Sequence, residues 1–197
     1  MKGNNKGDRM NTVEPIRSKS KIRLMKLNLK SKSIRNYLLF VMGINTGLRI
    51  SDLLSLKVSD VSNGKIKDSI YIREKKTGKE KAFQVNESVK KAIIEYLKSL
   101  KTYELEDYLF KSRVGGNKQI SRKQAYEIIN SSARECGIDG LIGTHTLRKT
   151  FGYHLRMNGV DISIIQDIFG HSNQTVTKKY IGITQDEKDK VCLNLNL

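Results

Sequence analysis

Acidic residues are scarce in this chain: 20 Asp and Glu stand against 37 Lys and Arg in 197 residues, a formal charge of +17 and a pI of about 9.9. Solubility does not require such an excess, which favours a polyanionic partner, nucleic acid first among them. Long apolar runs are missing as well. The longest, "YLLFVM" at 37–42, is far too short to span a bilayer, and the opening "MKGNNKGDRMN" holds no apolar signal core. These absences predict an intracellular protein, cytoplasmic and associated with the nucleoid, with no membrane partner. Cysteine is limited to Cys136 and Cys192, which lack C-x-x-C spacing and so suggest neither a zinc site nor a redox pair. Cys136 is expected in the core.

The length suits one domain with a proper core, with or without a short arm. Residues 1–31 are rich in Lys, Asn, Ser and Arg, hold the only proline, Pro15, and show little sustained apolar periodicity, which predicts a basic N-terminal arm. A folded domain is expected over 32–197, with a C-terminal tail from about 184. Within it, Ile34, Tyr37, Leu38, Val41 and Met42 form a helical stripe that Gly47 ends. A short helix follows, whose first turn Ser51 can cap. "IKDSIYIREKKTGKEKAFQV" reads as a two-stranded hairpin, and "DYLF" at 107–110 as a short extended piece. Helical stripes recur over 87–100, from Ser121 (a capping box with Gln124) to Gly137, and near 144–158, 162–169 and 173–181. The expected class is mainly α with a small antiparallel β-sheet.

Several residues in this frame suit phosphate chemistry. In "HTLRKT", His145 and Arg148 are one helical turn apart and can face a common target, while Leu147, Phe151 and Leu155 form a separate apolar stripe. "TGLR" sets Arg49 at the start of a short helix, where a guanidinium can span two phosphate oxygens. "GHSNQTVTKKY" supplies His171 after a helix-breaking glycine, and Tyr180 behind two lysines. At the hairpin centre, Lys76 of "KKTGK" occupies a tip suited to reaching a groove, with Lys75 and Lys79 close by. Each has a plain structural alternative: an Arg49–Asp52 ion pair, a solvated turn, or Tyr180 packed on Val176.

In order and local wording, "TGLRISDLLSL", "KKTGK", "THTLRKTFGYHL" and "IIQDIFGHSNQTVTKKY" resemble the catalytic domain of the tyrosine recombinases, or phage integrase family. The resemblance runs from about Ile34 to Thr184. It implies a DNA breaking and rejoining fold with catalytic residues Arg49, Lys76, His145, Arg148, His171 and Tyr180, and no cofactor or metal. The activity implied is site-specific recombination or integration through a 3'-phosphotyrosyl intermediate, independent of ATP. The partners implied are double-stranded DNA, other copies of the chain, as a tetramer on two sites, and accessory DNA-binding proteins. A catalytically silent DNA-binding regulator and a topoisomerase-like nicking and closing enzyme are the rival readings. Most family members carry a further helical domain before the catalytic one, where this chain has about 30 residues, so that either a stand-alone catalytic domain or a fragment of a longer gene is expected.

Overall fold

A computed structural model describes residues 13–73, 78 and 80–183. Lys75, Lys76 and Lys79, Cys192 and the tail beyond Ile183 lie outside the described residues. In chain order the elements are α1 (Lys19–Lys32), α2 (Ile34–Thr46), α3 (Ile50–Leu54), α4 (Val58–Val61), β1 (Ser69–Arg73), β2 (Glu80–Gln84), α5 (Glu87–Ser99), α6 (Arg122–Glu135), α7 (Thr144–Met157), α8 (Ile162–Phe169) and α9 (Gln174–Ile181). The mainly helical expectation holds, with one small sheet.

The organising helix is α2. Leu38, Leu39, Phe40, Val41 and Met42 are all fully buried, so this helix is apolar around its whole circumference and must be surrounded. It packs against α1, α5 and α7, and each of those large side chains contributes about 1.5–3 kcal/mol by leaving water. Ser33 caps its start by accepting from the Asn36 N–H. Its end is Gly47, left-handed at φ 65°, where a side chain would be strained.

Three apolar clusters follow. One joins α2–α5 and β1, a second joins α1, α2, α6 and the Leu147 side of α7, and a third joins α8 and α9 to Phe151 and Leu155 of α7. The stripe of Leu147, Phe151 and Leu155 is thus divided between two clusters, and α7 is the beam between them. Strands β1 and β2 pair antiparallel from Ser69↔Gln84 to Arg73↔Glu80, with Ile70 buried and Ile72 and Phe83 packed against the first cluster.

The N-terminal arm is corrected from about Val13 onward. Residues 19–32 form α1, which buries Met25 and Leu29 in the second cluster, and the segment before it is tied to α7. "DYLF" forms no strand: its Tyr108 makes an isolated bridge with Lys57, and Lys111 just after it makes another with Gln119. Ser51 is not the cap of α3: Arg49 stands at that position, without a side-chain capping bond. Cys136 is half-buried rather than enclosed. Among the described residues no helix is long and apolar enough to cross a membrane.

Candidate active site

Arg148 leaves the middle of α7 pointing inward and is 5% exposed. A buried guanidinium needs acceptors, and two chain turns provide them. Its Nη1 donates to the Gly47 carbonyl at the α2–α3 corner, and its Nη2 donates to the Phe169 carbonyl at 2.9 Å. Its Cζ also stacks 4.3 Å from the centre of the Phe169 ring. Burial lowers its pKa to about 10, countered in part by Tyr180 and reinforced by Arg49. The group remains a cation at neutral pH, fixed by three elements.

Tyr180, near the end of α9, lies close enough to Arg148 for the guanidinium charge to act on its hydroxyl. Burial pushes its pKa up, while Arg148 and Arg49 pull the other way. Its ring stands edge-on to His171 at 5.0 Å and to Phe169 at 5.5 Å. Gly152 makes this approach possible, because a Cβ there would lie 2.6 Å from Ile181 and 2.7 Å from the Phe169 ring. Tyr180 packs against the third cluster, and Val176 is exposed.

His171 follows the left-handed Gly170 that ends α8. Its Nδ1 lies 3.0 Å from the hydroxyl of buried Thr177, which also reaches the Asn173 carbonyl at 3.3 Å. Its pKa is lowered by burial, then by Arg148 and Arg49. Arg49 is exposed at the start of α3 and its charge is felt by Arg148, His171 and Tyr180. Four of the six residues singled out from sequence are therefore brought together. His145, in the first turn of α7, reaches the surface and makes no hydrogen bond among the described residues. Partial burial and then the charges of Lys149, Arg148 and Arg122 hold its pKa down. Lys76 is outside the described residues.

Sequence reasoning missed Thr177, Lys149 and the segment Val13–Arg17. The Lys149 Nζ lies 5.2 Å from the Tyr180 ring centre and donates to the Val13 carbonyl at 2.8 Å. Behind it the Ile16 N–H donates to Thr150 Oγ1 at 2.9 Å, His154 Nε2 meets the Ile16 carbonyl at 3.0 Å, and Arg17 donates to the Gly182 carbonyl at 2.9 Å. The only sequence signal was a basic residue directly after Arg148.

The architecture is that of tyrosine recombinase catalytic domains. A crystal structure of XerA recombinase superposes with a TM-score of 0.76 at 24% identity, covering 99% of this chain and 68% of that one. XerH bound to palindromic difH substrate in a post-cleavage complex gives 0.71 at 19% identity, covering 90% and 51%. The chain belongs to the phage integrase family, which it matches over residues 16–187. It is 49% identical over 177 residues to the probable integrase/recombinase YoeC of Bacillus subtilis (strain 168), covering 90% of this chain and 93% of that protein. The tyrosine recombinase XerA of Pyrococcus horikoshii is 30% identical over 153 residues, covering 77% of this chain and only 52% of that longer relative.

Proposed function

We propose that this chain is a site-specific DNA recombinase or integrase that cuts and rejoins duplex DNA through a covalent 3'-phosphotyrosyl intermediate. The observation that carries the reading is the convergence of Tyr180 with the buried Arg148 guanidinium, both packed on Phe169, with His171 at 5.0 Å from the Tyr180 ring and the charge of Arg49 felt by all three. A nucleophile placed beside a phosphate-binding cation is what in-line attack on a phosphodiester requires. Tyr180 attacks phosphorus, the bond to the 5' oxygen breaks, and the DNA 3' end remains on the tyrosine. Retaining the phosphodiester in this form lets the second transesterification reseal the strand without ATP.

The residues divide the remaining work by their chemistry. Arg148 and Arg49 hold the non-bridging oxygens and stabilise the charge that grows on them. His145, neutral at pH 7 with its lowered pKa, accepts the phenol proton and returns it in the reverse step. Thr177 serves either tautomer of His171, so the ring can turn an N–H toward the phosphate. Lys76 protonates the departing 5' oxygen, which would otherwise leave as an alkoxide. Several copies acting on two duplexes, as a tetramer, complete an exchange, with accessory DNA-binding proteins where sites need bending.

The test is a duplex bearing the gene's flanking DNA, nicked beside candidate cleavage points so that the cut strand cannot be resealed. The expected product is an SDS-stable protein–DNA adduct that disappears with Tyr180→Phe. Binding without an adduct on every such substrate overturns the enzyme in favour of a silent DNA-binding protein. Strand exchange between two duplexes distinguishes a recombinase from a nicking and closing enzyme.

A further inference from the structure

The cations of α1 are of two kinds. Lys21 donates to the Cys136 carbonyl at 2.8 Å, Lys30 pairs with Glu95 at 2.8 Å, and Lys32 pairs with Glu135. Lys19, Arg23 and Lys26 differ: four and then three positions apart, they share one helical face and make no hydrogen bond or ion pair among the described residues. With Asn45 of α2, His154 of α7 and Asn158 just after it, they line a groove of about 320 Å³. Among the described residues no Asp or Glu lines it. Lys26 is half-buried, and burial alone pushes its ammonium below the ordinary lysine value, with no acid opposing the shift. A cation partly withdrawn from water and left unpaired costs free energy. An arriving anion recovers that cost.

The groove faces away from the catalytic cluster. At roughly 100° per residue, His145, Arg148, Lys149 and Gly152 fall on one side of α7, and Thr150, His154 and Asn158 on the other. The helix, about 10 Å across with its side chains, stands between them. We infer that this groove is a second DNA-backbone site, which holds the phosphates of a duplex segment other than the one being cut. The lining suits phosphodiesters: three cations and two amides, with Ile22 and Ile44 the apolar lining residues and no acidic group among the described residues to repel an anion. Such a site would let one protomer hold two DNA segments at once.

The inference rests on the DNA reading of the catalytic face only for its choice of polymer, and the test keeps the two apart. A full-length Lys19→Gln, Arg23→Gln, Lys26→Gln chain removes the three charges while keeping good helix formers. A control chain, Lys91→Gln, Lys98→Gln, Lys101→Gln, removes three exposed charges from elsewhere. Each protein is loaded on a bead-bound duplex of arbitrary sequence and offered a labelled second duplex. Wild type and control are expected to retain the labelled duplex, and the groove variant to retain several-fold less although it still binds the beads. The salt slope of its binding should also be shallower than the control's by roughly 2 to 3, as about one unit is lost per phosphate contact. Equal loss in groove variant and control, or undiminished capture by the groove variant, overturns the proposal. Adduct formation on the nicked duplex reports on the catalytic reading separately: its absence from wild type, with the capture pattern intact, sinks that reading and leaves the groove.

Discussion

Arg148 couples what the fold requires to what the chemistry requires. Its two carbonyl acceptors and its stacking on Phe169 need a planar fork, so Arg148→Lys keeps the charge but loses the geometry. Removal of a preorganised donor from a developing phosphate charge costs about 3 kcal/mol, so adduct formation on a nicked duplex should fall at least about a hundredfold. Thr177→Val is subtler, because it keeps the side chain's shape and removes the partner of His171 Nδ1. A hydrogen bond of about 1 kcal/mol predicts a five- to tenfold slower single-turnover cleavage, and the slowing should vary with pH because the lost partner bonds a ring nitrogen of a titrating histidine. Both His145 and His171 have pKa values held down by burial and neighbouring cations. As the pH falls below about 6.5, the unfolded chain takes up these protons first. Stability is therefore complete above that value and is lost as pH falls through the lower folded-state values. Melting temperatures at about pH 7 and about pH 5 should show this drop, and a His145→Gln, His171→Gln chain should lose part of it.

Between elements, the close contact of α7 with α8 and α9 separates stability from activity. Gly152→Ala gains about 1 kcal/mol of helix propensity, but its Cβ would press on Ile181 and Phe169 at 2.6–2.8 Å, an overpacking cost of about 1–3 kcal/mol. The net is a loss of about 0–2 kcal/mol, so the melting temperature should fall by no more than about 8 °C. The displaced α9 carries Tyr180, and adduct formation should drop more than tenfold in the same preparation. The elements around this contact were legible in the sequence because their apolar stripes and caps agree. Ser121 with Gln124 opens α6, Asp161 opens α8, and Gly47, Gly170 and Gly182 close α2, α8 and α9. Helix α1 was hidden for a physical reason: Met25 and Leu29 are buried, but Leu24 and Leu27 are exposed, which blurs the stripe among the lysines. The site was legible as far as residue type shows function, and Arg49, Arg148, His171 and Tyr180 do converge. Thr177 and Lys149 were not, because their roles depend on a tautomer and on a segment 136 positions away in the chain.

Across the whole molecule, the segment Val13–Arg17 joins the first described residues to the end of α9. Pro15 lies against Gly182, Arg17 donates to the Gly182 carbonyl, and Lys149 touches both the Val13 carbonyl and the Tyr180 ring. Two truncations separate its role from that of the basic residues before it. A chain beginning at Val13 loses Lys2, Lys6, Arg9 and Asp8 but keeps every one of these contacts. Its DNA binding should weaken with a shallower salt slope, as expected when basic residues able to meet phosphates are removed. A chain beginning at Ser18 also loses Ile16, which is 3% exposed, and with it about 2 kcal/mol of apolar burial. At about 2–4 °C per kcal/mol for a domain of this size, it should melt at least about 4 °C lower. Amide exchange should speed up at Ile181–Ile183 before it does in α2, because the support lost is local to α9. If both truncations leave that exchange unchanged, α9 is held by α7 and α8 alone, and the N-terminal segment contributes nothing to the placement of Tyr180.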